Sequence, residues 1–254
     1  MQTVFGAGAL IGTATQDAYG TTLAAPTPVQ FGVMQGISLD ISFDVKELYG
    51  TNQFPVAIGR GKGKISGKAS FAQINGMLLN SLVFGQTLTS GTISDVINPA
   101  AAAIPATPFQ ITPTVPGSGT WVNDLGVTDA TGLPYTRVAS APTTGQYSVS
   151  VGGGVYTFAS ADTGKSVIIS YQYSASSAVA KKMVIANVPM GYAPTFRMDF
   201  FVSYGGKPLV ITAAAALSNK LSIATKLDDF MLPDFEFSIF ADNAGNLLTL
   251  GTGE

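Results

Sequence analysis

The chain has 254 residues, is 46% hydrophobic and only 11% charged, and carries a formal net charge of −2. It contains no cysteine and no histidine, which excludes disulfides, thiolate metal sites, cysteine nucleophiles and every Ser-His-Asp arrangement, and removes the usual zinc ligand and general base. The small net charge argues against general binding to nucleic acid or an anionic membrane, and although carboxylate pairs or lysine could still act catalytically, the chain does not read as an enzyme.

So low a charged share fits two surfaces. One is covered by other copies or other proteins; the other is dressed in glycine, serine and threonine. No run of about 18 to 20 apolar residues occurs, so no membrane span is expected. The opening Met1-Gln-Thr-Val-Phe5 lacks the positive start of a signal peptide, so secretory export is not expected.

Residues 1–30, small and closed by Pro26 and Pro28, read as an extended N-terminal arm. Then Ile37, Leu39, Ile41, Phe43 and Val45 alternate without exception with Ser38, Asp40, Ser42 and Asp44, the signature of a half-buried strand. A connection follows over 46–55. The next strand, from Ala57 to Phe71, puts Arg60, Lys62, Lys64 and Lys68 on one face by period two. Gly59, Gly61, Gly63 and Gly67 lie on the other, a face suited to close approach of another layer or subunit. From Ala72 the period changes: Ile74, Met77, Leu78, Leu82 and Phe84 form a helical stripe, with Gly85 where a helix C-cap belongs.

Residues 86–107, including Asn98-Pro-Ala-Ala-Ala-Ala-Ile-Pro105, read as a linker. Between 108 and 175 short strand patterns (Phe109–Thr112, Trp121–Val122, Thr136–Ala139, Gln146–Val151, Val155–Phe158, Val167–Tyr173) alternate with turn signals, which predicts a small all-β, sandwich-like module of Ig-like kind. Ser174-Ala-Ser-Ser-Ala178 reads as the second linker. Strands are then expected over Thr195–Tyr204, Leu209–Ser218 and Asp234–Ile239. The alanine run at 213–216 favours helix by propensity, but the Gly205-Gly-Lys-Pro208 turn favours a hairpin. The resulting division is an arm (1–30), a discontinuous β domain (31–107 and 176–254) and an inserted module (108–175).

Three constellations could carry chemistry. The basic stripe Arg60, Lys62, Lys64 and Lys68 could meet nucleic acid or an acidic partner, or be an ordinary solvated strand face; its interleaved glycines offer no base stacking. The acids Asp40, Asp44, Asp228, Asp229, Asp234 and Glu236 fall on polar strand faces or edges and lack calcium-loop spacing, so no metal or cofactor is expected. The glycine-rich runs match no nucleotide-binding fingerprint.

Several phrases are similar to the tail tube (major tail) proteins of long-tailed bacteriophages. They are Glu47-Leu-Tyr-Gly-Thr-Asn-Gln-Phe-Pro-Val-Ala57 with Gly61-Lys-Gly-Lys-Ile-Ser-Gly-Lys-Ala69, and Leu217-Ser-Asn-Lys-Leu-Ser222 with Thr225-Lys-Leu-Asp-Asp-Phe-Met-Leu-Pro-Asp-Phe-Glu-Phe237 and Phe240-Ala-Asp242. Within the insertion, Thr143-Thr-Gly-Gln-Tyr-Ser-Val149, Gly154-Val-Tyr-Thr-Phe158 and Ala161-Asp-Thr-Gly-Lys-Ser-Val167 resemble the β module that some of these proteins carry. The likeness spans about two-thirds of the chain in diffuse phrases.

The resemblance implies a mainly β fold: a β-sandwich or half-barrel tube domain with one flanking α-helix, plus the inserted module. It implies hexameric rings stacked into a hollow tube in the virion tail, assembled in the host cytoplasm. Sheath, terminator and baseplate or tip proteins are its candidate partners, and DNA passes through the lumen without specific binding. On that reading Tyr49, Phe54 and Pro55 anchor an inter-subunit loop over 46–58. Asp40, Asp44, Asp234 and Glu236 are lumen candidates, and the basic stripe lies at an interface or outside. The alternative is a capsid decoration, tail-fibre or surface module that binds glycans through 108–175, with Trp121, Tyr135, Tyr147, Tyr156 and Tyr171 as stacking surfaces. A carboxylate glycosidase would need a paired acidic cleft that the sequence does not display.

Overall fold

In the computed structural model the strand that the alternation from Ile37 marks runs on past Val45 to Tyr49, and it forms one arm of a long hairpin. The structure describes residues 3–73, 75–97, 101–150 and 152–253; for 90 and 92–97 it describes the backbone alone. The fold is mainly β. In chain order the strands are β1 (Ala9–Ala14), β2 (Val29–Gln30), β3 (Met34–Tyr49), β4 (Pro55–Phe71), β5 (Leu88–Ile97), β6 (Ala102–Ala103), β7 (Gln110–Ile111) and β8 (Thr120–Asp129). They continue as β9 (Thr136–Arg137), β10 (Gln146–Val149), β11 (Tyr156–Phe158), β12 (Ser166–Met183), β13 (Thr195–Tyr204), β14 (Lys207–Ser222), β15 (Asp234–Ile239) and β16 (Leu248–Thr252). The chain divides into two units, Met1–Leu88 with Met183–Glu254, and Thr89–Lys182.

The first unit is one antiparallel sheet in the order β2-β1-β13-β14-β15-β4-β3, with β16 also pairing β14. Alternation decides which side chains it buries. Phe196, Met198, Phe200 and Val202 on β13, Phe235, Phe237 and Ile239 on β15, and Ala69 and Phe71 on β4 all turn to one core. Phe31 closes that core with its ring centroid 5.4 Å from those of Phe71 and Phe235. The alanine run is strand, because a hairpin fixes its pairing: Gly205 and Gly206 both hold positive φ (60° and 77°), as a two-residue turn requires. Ala213 and Ala216 are then fully buried beneath the phenylalanines, where a larger side chain would overpack the core.

Two expectations for this unit need correction. The first thirty residues are not a free arm. β1 pairs with β13 from Ala9↔Phe201 to Ala14↔Phe196, and Leu10, Ala14, Ala18 and Val29 are buried. Glycine-rich composition hid a strand whose residue opposite β13 is small because the neighbouring layer approaches closely: a Cβ on Gly12 would stand 2.4 Å from Leu82. The expected helix over 72–84 is α-helical only at Gly76–Leu79 (α1) and continues as a wider π turn, Asn80–Phe84. Asn75 caps its start by accepting from the Met77 N–H, and Gly85 ends it in the left-handed conformation (φ 57°). Leu78, Leu79 and Leu82 are its buried face; Ile74, placed on the stripe by sequence, lies outside the described residues.

The second unit holds two four-stranded sheets, β7-β11-β10-β9 and β5-β12-β6 with β8 on β12. A single core draws on both: Tyr147, Tyr156 and Phe158 from one, Val127, Val167, Ile169 and Tyr171 from the other. The expected linkers are partly structure. Ala102–Ala103 pairs with β12 and Ile104 is buried, while Asn98–Ala100 lies outside the described residues, as does Val151. Ser174–Ala178 continues β12 without a break. Serine and alanine read as linker in isolation, but the strand's alternation carries Ala175 into the core.

Candidate functional site

β15 ends at Ile239, opposite Ile65 of β4. Beyond that rung, among the described residues, β4 and β3 pair only with each other, from Ile41↔Ile65 out to Tyr49↔Pro55. The nine residues from Ile41 to Tyr49 span eight steps of about 3.3 Å each, so this two-stranded ribbon projects roughly 25–30 Å past the sheet. Strand structure occupies most of the expected 46–58 connection, and the turn itself is only 50–54. Tyr49 ends β3, Phe54 sits in the turn and Pro55 begins β4. Both strands are solvent-exposed on both faces.

A bulge divides the ribbon. Phe43 pairs with Gly63, but Val45 pairs with Arg60, so Gly61 and Lys62 share the rung opposite Asp44. An extra residue flips every side chain beyond it. Lys64 and Lys68 therefore share the polar face with Ser42 and Ser38, whereas Arg60 crosses to the apolar face with Val45. Its guanidinium lies over the Phe43 ring, 4.1 Å from the centroid, a cation–π contact. The expected four-residue basic face is thus broken at Arg60. The glycines have local work: a Cβ on Gly63 would stand 3.0 Å from the Phe43 ring, and one on Gly61 would stand 3.3 Å from Asp44.

Of the side chains read from sequence as the apolar half of a half-buried strand, Ile41, Phe43 and Val45 stand in solvent, and so do Leu48, Tyr49, Phe54, Val56 and Ile58 further along the ribbon. Alternation identifies the face, and only the point where the neighbouring strand stops reveals that none of the described residues covers it. Tyr49 donates its hydroxyl to Glu47, which raises the phenol above its ordinary value.

The lumen candidates and much of the basic stripe occupy one and the same sheet face. Glu236 stands opposite Lys68 on one side and Lys220 on the other, Asp40 opposite Ser66, and Asp234 opposite Ser70. Lys68 reaches Asp234 at 2.8 Å and Lys220 reaches Glu236 at 3.5 Å. The hydrogen bond to Asp234 holds the Lys68 ammonium above its ordinary range, and Lys68 with Ser70 holds the Asp234 carboxyl below the usual 3.8. Acid and base neutralise one another along these rows, so the face is mixed in charge. Asp228 and Asp229 lie apart, in the exposed 223–233 loop between β14 and β15.

In the second unit the aromatic residues considered for stacking on sugars are mostly core. Tyr147, Tyr156 and Tyr171 are buried, while Trp121 and Tyr135 are half-buried. Tyr147 and Tyr156 donate their hydroxyls to the buried Asp124 at 2.8 and 3.1 Å, and Arg137 approaches the same carboxylate at 3.5 Å. Burial, then the Asp124 charge and hydrogen bond, push the Tyr147 phenol well above its ordinary value. This is a satisfied polar network inside a core. Among the described residues no cluster of three or more acidic side chains could hold a metal ion, and no helix is long and apolar enough to cross a membrane. The chain matches no protein-family model and no curated protein.

Proposed function

We propose that this chain is a virion structural protein, the tail tube subunit of a long-tailed bacteriophage. Its copies assemble into stacked hexameric rings that enclose a conduit for DNA. The observation that carries the reading is the β3–β4 ribbon. An isolated two-stranded hairpin is marginal in water, and an exposed apolar ribbon with free strand edges invites association with another chain. Tyr49, Phe54 and Pro55 at its tip are then inter-subunit contacts. The low charged share agrees with a surface largely covered by neighbouring copies.

The conduit places the mixed face of β3, β4 and β15 toward DNA, with Asp40, Asp44, Asp234 and Glu236 in the lumen. Because Lys68 and Lys220 are already ion-paired, phosphate finds fewer free cations there than the sequence stripe implied. Removal of residues 46–58, with β3 joined to β4 by a two-residue turn, tests the proposal. The expected product is a folded monomer, with the native circular dichroism spectrum, that does not polymerise. Tube formation as efficient as that of the intact chain would overturn it.

A further inference from the structure

We propose that the ribbon of one copy seats on the 223–233 loop of a second copy, so that subunits join head to tail. This rests on the assembly reading above and names the surface that receives the ribbon.

Position is the first support. β15 begins at Asp234 opposite Ser70 and ends at Ile239 opposite Ile65. The ribbon leaves the sheet past the Ile65 rung, and the loop enters it before the Asp234 rung. The two features therefore lie at opposite ends of the same strands, and within one copy neither reaches the other. A contact between two different surfaces is heterologous, and at opposite ends it repeats from copy to copy along the strand direction.

Chemistry is the second support. The loop exposes Leu227 (97%) and Phe230 (84%), two large apolar side chains three residues apart whose surface a second copy would take out of water. Lys226 is held by Asp229 at 3.0 Å, so Asp228 is a carboxylate without an ion pair among the described residues. The ribbon is the complement. Lys46, Arg60, Lys62 and Lys64 have no ion-pair partner among the described residues, and β4 has no acidic residue along its length. Val45, Val56 and Ile58 expose apolar surface beside these cations. Against Asp44 and Glu47, the ribbon's own acids, these four cations leave residues 41–64 two positive charges in excess, and this basic apolar surface meets one edged with a free carboxylate, the complementarity that steers and orients protein association.

The absence of cysteine permits a clean test. A chain carrying Ile58→Cys and Leu227→Cys, oxidised under assembling conditions, is expected to give a ladder of covalent oligomers on a non-reducing gel. Neither single variant should pass beyond a dimer. In parallel, Lys62→Glu and Asp228→Lys are each expected to raise the critical concentration about tenfold or more, since like charges brought together across an interface are strongly unfavourable. The two combined in one chain should restore assembly. If the ladder is absent and Asp228→Lys polymerises normally while Lys62→Glu does not, the loop is not the receiving surface and the ribbon reading stands alone. Normal polymerisation of both charge variants without a ladder overturns the seating on the loop, and a wild-type chain that stays monomeric at every concentration overturns the assembly reading with it.

Discussion

The double variant Val56→Thr/Ile58→Thr separates assembly from folding. Both side chains point from β4 into solvent, 66% and 65% exposed. Full burial of a valine or isoleucine contributes about 1.5–3 kcal/mol, so each retains about 1–2 kcal/mol to gain when a second copy covers it. Threonine keeps the β-branch that suits a strand, but it forfeits that gain and carries a hydroxyl into the contact. The pair should weaken each subunit contact by about 2–4 kcal/mol, which raises the critical concentration about 30- to 700-fold at 1.4 kcal/mol per tenfold. Exposed positions change monomer stability by no more than about 0.5 kcal/mol each. Sedimentation of assembled material across a concentration series reads the first quantity, and urea unfolding reads the second. An unchanged critical concentration in a variant with the wild-type urea midpoint would refute the argument that this face is covered in the assembly.

Two further predictions concern the fold that holds the ribbon. Gly67→Ala places a Cβ 2.3 and 2.6 Å from the buried Phe237 ring and 3.0 Å from the Ser38 carbonyl, an overpacking that should cost about 1–3 kcal/mol. Gly59→Ala, whose nearest neighbour is 4.0 Å away, should shift stability by no more than about 0.5 kcal/mol; equal urea midpoints would contradict the difference. Asp199 accepts two hydrogen bonds from Arg197 at 2.8 and 2.9 Å and one from Thr212, and Arg197 chiefly holds its carboxyl below 3.8. The folded carboxylate binds its proton more weakly than the unfolded one, so its contribution is whole above 3.8 and is lost as pH falls through the folded value. Asp199→Asn should therefore lower the urea midpoint at neutral pH, with the gap closing as the solution is acidified through that range. A gap that stays constant would show that the charge is not its source.

Much of the fold could be read from side-chain period alone. Phe235, Phe237 and Ile239 alternate with Asp234, Glu236 and Ser238, and the structure buries the first set and leaves the second half-buried. The choice of strand over helix for residues 213–216 followed from turn chemistry at Gly205 and Gly206, where tertiary pairing overrides alanine's helical propensity. Three features were beyond the reach of period. The bulge at Gly61 and Lys62 depends on how β3 and β4 register, so Arg60 was assigned to the lysine face that it leaves. β1 carries Leu10 into the core, but Gly12 is bare where Leu82 presses close, and the small residues around them imitated an unstructured arm. The exposed apolar face of the ribbon depends on where β15 stops. A pattern in β3 and β4 records which side is apolar, but not whether that side is covered.

Negative-stain electron microscopy of the purified chain at rising concentration, with mass determination alongside, tests the central claim most directly. Rings of six copies and hollow stacks that lengthen with concentration are the predicted result. A monomer or small closed oligomer at every concentration, with the ribbon still exposed to limited proteolysis, would contradict it.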